Sequence, residues 1–193
     1  MPVPGVRPPR PGLIVLTSGH LVDEPGRSPP RFPDEHVPVV AARIRELFED
    51  WSVGDGDLVI SGGARGADIL FAECALDRGA SVRLLLALPP AQFVQRSVAS
   101  PVGGWEERFH RLLPRCQVDV LPEKRLAAGQ SPFELVNAWM LDEALRLLGR
   151  VVAALVWDKL PAGRRGGTAG IAALLRLQEI PTTVINPLRR RGA

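Results

Sequence analysis

Short apolar runs alternate along this chain with longer segments whose apolar residues recur every three or four positions. The runs at residues 13–16, 58–60, 82–88, 118–121, 151–157 and 182–185 are typical of buried strands. The segments ending at residues 51, 79, 100, 115, 148 and 179 have the spacing of a helix with one apolar face. The pattern predicts about six strands separated by helices.

Strands that are apolar on both faces and joined by helices indicate a parallel sheet covered on two sides. We therefore expect an α/β fold, a three-layer Rossmann-like open sheet of about six mainly parallel strands. Residues 13–187 are predicted to form a single domain. The proline-rich residues 1–12 are predicted to be disordered, and residues 188–193 to form a basic tail.

Charge and cysteine content narrow the classes of function. The 193 residues include 24 Lys and Arg against 21 Asp and Glu, and Arg189, Arg190 and Arg191 account for the net charge of +3. The remaining body is near neutral, which argues against a nucleic-acid partner. Cys74 and Cys116 lack metal-ligand spacing, so no metal or cofactor is expected and a cytoplasmic location is predicted. No apolar run reaches the ~20 residues that a membrane span needs.

Three polar or glycine-rich loops follow predicted strands, at residues 17–31, 61–68 and 158–168. The carboxyl ends of parallel strands lie on the same edge of a sheet, where ligands of open α/β folds bind. We therefore expect these three loops to converge on one pocket.

The loop at residues 61–68 has the composition of an anion cradle. Its glycines let backbone N–H groups approach a phosphate, and the following helix adds its positive end. Arg65 offers a guanidinium, and Asp68 is placed to bond N–H groups or a ribose hydroxyl. A tight turn that needs glycine for steric reasons, with Asp68 as an ordinary acid at a helix start, is the alternative. The glycines are Gly62, Gly63 and Gly66.

The other two loops carry further candidates. Gly166 and Gly167 precede Thr168, which is either a phosphate ligand or only a helix cap. In the first loop, Ser18 and Gly19 precede His20, and His20 with Asp23 forms either an oriented pair for proton transfer or a loop staple.

A helical carboxylate completes the candidates for catalysis. Glu73, one turn into the second long helix, is either a nucleophile or charge stabiliser beside a sugar, or a solvent-facing helix residue. The catalytic candidates are thus Glu73, His20 and Asp23.

The segment SGGARGAD at residues 61–68 resembles the SGxARGxD turn of the SLOG superfamily. That group includes the DNA-processing protein A family, the LOG cytokinin-activating enzymes and nucleotide-sensing domains of bacterial conflict systems. Residues 166–168 resemble its second phosphate motif, GGT, and the pattern in residues 18–33 is similar to an uncharacterised bacterial subfamily.

The resemblance implies a Rossmannoid domain, a homodimer, and a nucleotide-derived phosphorylated ligand. By matching position, the ligand contacts would be Gly62, Gly63, Arg65, Gly66, Gly167 and Thr168. LOG-type hydrolases carry a catalytic Glu three residues after the threonine of GGT, where this chain has Ile171.

Three functions remain open at this point. The first is a cytoplasmic module that binds or senses a nucleotide-type ligand in bacterial signalling or conflict systems. The second is a nucleotide N-glycoside hydrolase or transferase of the LOG kind, in which Glu73, His20 or Asp23 supplies the acid, base or nucleophile. The third is single-stranded DNA binding, as in the DNA-processing family.

Overall fold

A computed structural model describes residues 12–122, 131–161 and 167–189. Its strands are β1 (Leu13–Gly19), β2 (Leu58–Ser61), β3 (Ser81–Leu86), β4 (Gln117–Val120), β5 (Arg150–Val156) and β6 (Thr182–Ile185). Its α-helices are α1 (Val37–Asp50), α2 (Ala67–Asp77), α3 (Pro90–Phe93), α4 (Trp105–Leu112), α5 (Pro132–Arg146) and α6 (Thr168–Leu177).

The six strands form one sheet in the order β4-β3-β2-β1-β5-β6, and every neighbouring pair is parallel. The chain winds outward from β1 to β4 and then returns to the other side of β1. The winding direction therefore reverses between β1 and β5, which is where ligands bind in open α/β sheets. The predicted Rossmann-like α/β fold is confirmed.

Helices cover both faces of this sheet. Helix α2 packs against β1, β2 and β3 and contacts α1 and α4, whereas α5 packs against the same three strands and contacts α6. Two helices that cover the same strands lie on opposite faces, so the molecule has three layers.

The core lies on both sides of the central strands. Leu16, Ile60 and Leu84 are fully buried on three neighbouring strands. On the face covered by α1 and α2, the rings of Phe48 and Phe71 pack with their centroids 5.8 Å apart. Burial of this apolar surface is the main stabilising contribution that the chain can supply.

The element boundaries depart from the sequence prediction in two places that matter for the site. Strand β1 continues three residues beyond the predicted end, because β5 pairs with it from Leu13 to Gly19 and the buried Thr17 hydroxyl donates to the Ile60 carbonyl at 3.2 Å. The predicted helix over 91–100 consists of the short α3 followed by a wider π-type turn over Val94–Val98.

Some predictions fall outside the described residues. Apart from Gly12, the segment predicted to be disordered lies there, as do residues 190–193 of the predicted basic tail. In the part of the chain that the structure describes, no helix has the length and apolar character that a membrane crossing demands.

We predict that Gly66→Ala destabilises the protein far more than Gly26→Ala. Both glycines have positive φ, +90° and +79°, but a Cβ at position 66 would lie 2.7 Å from the Val22 nitrogen and 2.8 Å from the His20 oxygen, whereas position 26 is open. We expect a loss of roughly 3 kcal/mol in the free energy of unfolding at position 66 and of about 1 kcal/mol at position 26, measured by denaturant titration. Equal losses would show that the contact with the 20–22 backbone is not tight.

Candidate functional site

The loops that follow β1, β2 and β5 open on one edge of the sheet, because these strands are parallel neighbours. Between them lies a cleft of about 1110 Å³, which we call the edge cleft. Its lining comprises four groups of residues. From the end of β1 and the loop after it come Ser18, Gly19, His20, Leu21, Asp23, Glu24, Arg27 and Arg31; after β2 come Gly62, Ala64, Arg65 and Asp68; after β3 come Ala87, Phe93, Gln95, Arg96, Ser97 and Ala99; and from α5, the residue before it and the start of α6 come Ser131, Phe133, Val136, Asn137, Met140, Gly167 and Thr168.

Most of the sequence-predicted ligand residues line this cleft. They are Ser18, Gly19, His20, Gly62, Arg65, Asp68, Gly167 and Thr168. Gly63 and Gly66 are not among the lining residues, and Gly166 lies outside the described residues. The two glycine-rich segments thus meet in space.

The glycines after β2 have steric roles in the fold. Gly63 has a φ of +79°, and a Cβ there would lie 3.1 Å from Leu86. A Cβ on Gly62 would lie 2.8 Å from Oδ2 of Asp68. Close packing accounts for both positions without a ligand.

Asp68 holds a buried carboxyl group at the start of α2. Its Oδ2 accepts a hydrogen bond from the Ala64 N–H at 3.2 Å, whereas its Oδ1 has no hydrogen-bond partner among the described residues. Burial raises the pKa of Asp68 to about 7, and the backbone N–H groups of Ala64 and Gly19 oppose this rise. Near neutral pH the group is therefore about half protonated.

His20 is oriented by Asp158, which follows the end of the neighbouring strand. His20 Nε2 lies 3.0 Å from Asp158 Oδ1, and the Asp158 N–H lies 3.3 Å from the same nitrogen. Because a carboxylate is the stronger partner, we assign the proton to Nε2, which leaves Nδ1 as the acceptor. That atom lies 3.5 Å from the Thr168 hydroxyl.

Burial lowers the pKa of His20, as does the charge of Arg31, while the hydrogen bond to Asp158 opposes both. The imidazole is therefore neutral at pH 7. A neutral imidazole beside a hydroxyl is able to accept a proton within the cleft.

Asp158 links two loops through a network of charged hydrogen bonds. Arg31 donates from Nε to Oδ2 at 2.7 Å and from Nη2 to Oδ1 at 2.8 Å, and the Leu160 N–H donates to Oδ1 at 2.9 Å. Burial alone would raise the pKa of Asp158, but the bonds from Arg31, Leu160 and His20 together hold that pKa well below its usual range.

Asp23 serves as a loop staple. Its Oδ2 accepts from the backbone N–H groups of Arg31 at 2.7 Å and Phe32 at 2.9 Å, and its Oδ1 lies 3.3 Å from Arg27 Nε. Of the two interpretations of His20 and Asp23, the hydrogen bonds are those of a staple, and the carboxylate that orients His20 is Asp158. The position of Asp158 in the sequence could have identified it as the partner, because His20 and Asp158 each come just after a buried parallel strand.

The guanidinium of Arg65 donates hydrogen bonds to other groups of the protein. Nε donates to the Val22 carbonyl at 3.3 Å and Nη1 to the Ala99 carbonyl at 2.8 Å, while Nη2 donates to the Glu24 carboxylate. Arg65 therefore holds the loop after β1 against the segment after α3.

Glu73 does not reach the edge cleft. It forms a two-point ion pair with Arg108, whose Nε lies 2.9 Å from Glu73 Oε1 and whose guanidinium lies 4.2 Å from the centre of the Trp105 ring. This carboxylate belongs to the contact between α2 and α4, away from the residues that line the cleft.

The starts of α2 and α6 differ in charge. Helix α2 has Asp68 in its first turn, whereas α6 has no acidic residue there and begins with the buried Thr168. The Gly167 carbonyl before α6 accepts from the Asn137 side chain at 3.4 Å. Within residues 12–122, 131–161 and 167–189, no group of three or more His, Cys, Asp or Glu could hold a metal ion.

No family model matches the chain, and no curated protein matches it. Solved structures similar to it include that of TM1055, which is 16% identical over 88% of this chain and 71% of that one, with a TM-score of 0.42. DNA processing protein A from Streptococcus pneumoniae is 15% identical over 92% of this chain and 59% of its own, with a TM-score of 0.37. The Moco carrier protein from Chlamydomonas reinhardtii is 12% identical over 91% of each chain, with a TM-score of 0.34.

The sheet by itself makes this chain a Rossmann-like α/β protein whose cleft lies at the carboxyl edge of its parallel strands. Solved structures at this level of similarity carry no argument about the superfamily of this chain. At these TM-scores they say nothing about ligand or activity.

We predict that Asp68 and His20 give opposite pH dependences to stability. The folded state binds a proton at Asp68 between pH about 4 and 7 that the unfolded state does not, so stability falls as pH rises through this range. His20 has a folded pKa below 6.5, so the unfolded state binds more protons just below that pH and stability rises with pH there.

Asp68→Asn should therefore gain stability relative to the wild type as pH rises from 4 to 7, by at most about 1.4 kcal/mol per pH unit in denaturant titrations. His20→Gln should lose relative stability as pH rises toward 6.5. A constant difference between Asp68→Asn and wild type across this range would rule out a raised pKa at Asp68.

Proposed function

We propose that the edge cleft binds a nucleotide-derived ligand through a phosphate group and that the protein acts as a sensor of that ligand. The observation that carries the proposal is the meeting of two helix starts, those of α2 and α6, in one cleft where the sheet reverses its winding.

The phosphate is assigned to the start of α6. Its first turn has no acidic residue, so its positive end is not offset, and Gly167 and Thr168 line the cleft beside it. On the neighbouring strand ends, Ser18, Gly19 and Gly62 border the same space.

The other side of the cleft suits an apolar or aromatic group. Its lining there includes Ala87, Phe93, Phe133, Val136 and Met140. A base with a flat apolar face would contact these side chains while its phosphate lies at α6. Asp68 remains the proposed partner of a sugar hydroxyl, because it lines the cleft and its Oδ1 has no hydrogen-bond partner among the described residues.

We place this function in the cytoplasm, in bacterial signalling or conflict systems. The two cysteines are free thiols, as is usual in a reducing compartment. We also propose that two copies of the chain form a homodimer, as the SLOG resemblance implies.

We predict that a panel of nucleotides, ADP-ribose and cyclic dinucleotides contains a ligand that raises the Tm of the wild type, because a ligand that binds only the native state stabilises it. For that ligand, Thr168→Val should weaken binding roughly tenfold or more, since it removes a hydrogen bond to a charged group. Thr183→Val, at an exposed position on β6, is the matched control and should bind normally. No Tm change at millimolar concentrations of every ligand would argue against the proposal.

A second candidate is hydrolysis of a nucleotide N-glycosidic bond. It is favoured by one observation, the neutral His20 that lines the cleft, with its Nδ1 3.5 Å from the Thr168 hydroxyl and its Nε2 held by Asp158. In this reaction water attacks the sugar carbon C1′, His20 Nδ1 accepts the water proton, and the C–N bond breaks. The leaving base takes up a proton from solvent, and His20 releases its own proton to solvent.

If this activity exists, we expect release of free base from nucleoside monophosphates, lowered about 100-fold or more by His20→Gln. Glu73→Gln should retain the activity, because Glu73 pairs with Arg108 between α2 and α4. Absence of free base with the wild type, as measured by chromatography, would remove this candidate. If Glu73→Gln loses the activity and His20→Gln retains it, the catalytic role would instead belong to Glu73 on α2.

A further inference from the structure

The Arg65 guanidinium is a fixed cation in the wall of the edge cleft. The residue is only 8% exposed, and two of its nitrogens are held by the Val22 and Ala99 carbonyls at 3.3 and 2.8 Å. A guanidinium anchored in this way cannot turn toward solvent, so it needs an anion brought to it.

The anion that Arg65 contacts in this structure is the Glu24 carboxylate, which accepts a hydrogen bond from Nη2. The Glu24 side chain is 53% exposed, against 9% for that of Arg65. The pair is therefore asymmetric: the carboxylate can rotate into water at little cost, whereas the buried guanidinium cannot lose its counter-charge without a replacement.

The loop that carries Glu24 does not depend on this ion pair for its position. Asp23 accepts from two backbone N–H groups of the same loop, and Arg31 forms a two-point ion pair with Asp158 at its far end. Departure of the Glu24 side chain is thus a local event that leaves the cleft wall in place.

We propose that Glu24 is an internal substitute for the ligand's anionic group, and that an incoming phosphate replaces its carboxylate on Arg65 Nη2. Both residues line the edge cleft, so the exchange takes place within it. The inference rests on the proposed function, to which it adds a second anion subsite besides the start of α6. It also implies that ligand binding competes with an acidic side chain of the protein itself.

The test uses inorganic phosphate as the probe, titrated by calorimetry into wild type, Glu24→Gln and Glu35→Gln. Glu24→Gln should bind phosphate roughly two- to fivefold more tightly than wild type, because the competing carboxylate is gone. Glu35→Gln changes the net charge equally at an exposed position outside the cleft and should match the wild type.

A second measurement identifies the site. In Glu24→Gln, phosphate should shift the side-chain nitrogen resonances of Arg65, and Arg65→Lys in that background should abolish the gain in affinity. Because Arg65→Lys also removes bonds to two carbonyls, the resonance shift decides the question if that variant does not fold.

The proposal is overturned if Glu24→Gln binds phosphate no better than wild type or Glu35→Gln, if it binds more weakly, or if neither binds at all. A nucleotide that stabilises the wild type while Glu24→Gln shows no gain leaves the proposed function standing without this subsite. If Glu24→Gln binds phosphate more tightly at Arg65 but no nucleotide binds the protein, the anion subsite stands and its ligand is not a nucleotide.

Discussion

The buried carboxylate of Asp158 is the interaction on which the edge cleft depends. The register of β1 against β5 ends at the pair Gly19 and Val156, so His20 and Asp158 emerge side by side, and the His20 N–H bonds to the Val156 carbonyl at 2.9 Å. From there Asp158 holds both the imidazole and Arg31. A buried charge is tolerated only when it is paired and hydrogen-bonded, so these partners stabilise one another as a unit.

The cleft wall after β1 follows from this unit. Arg31 lies at the end of a loop whose start is fixed by the strand. Asp23 joins the start of this loop to its end, and the fully buried Phe32 anchors it in the core. A polar loop with such internal bonding keeps its shape without regular secondary structure. It brings Glu24 against Arg65 and thereby joins the β1 and β2 sides of the cleft.

The two helix starts in the cleft are electrostatically different, and this difference organises the proposed site. Helix α2 already has an acid in its first turn and a guanidinium whose bonds are occupied, whereas α6 begins with a threonine and has no acid. The motif that looks most like a phosphate cradle in the sequence is thus the one whose guanidinium already faces a carboxylate of the protein. The first turn of α6 has no acidic residue to offset the positive end of that helix.

The linear pattern by itself determined the six strands, the parallel sheet and the convergence of the strand-end loops, because these follow from local periodicity and from the rules for joining parallel strands. The partners of the polar side chains were decided only by the tertiary structure. His20 bonds to a residue 138 positions away, Glu73 to one 35 away and Arg65 to one 41 away. Such pairs depend on the strand register and the loop path, and those are set by the packing of the whole chain.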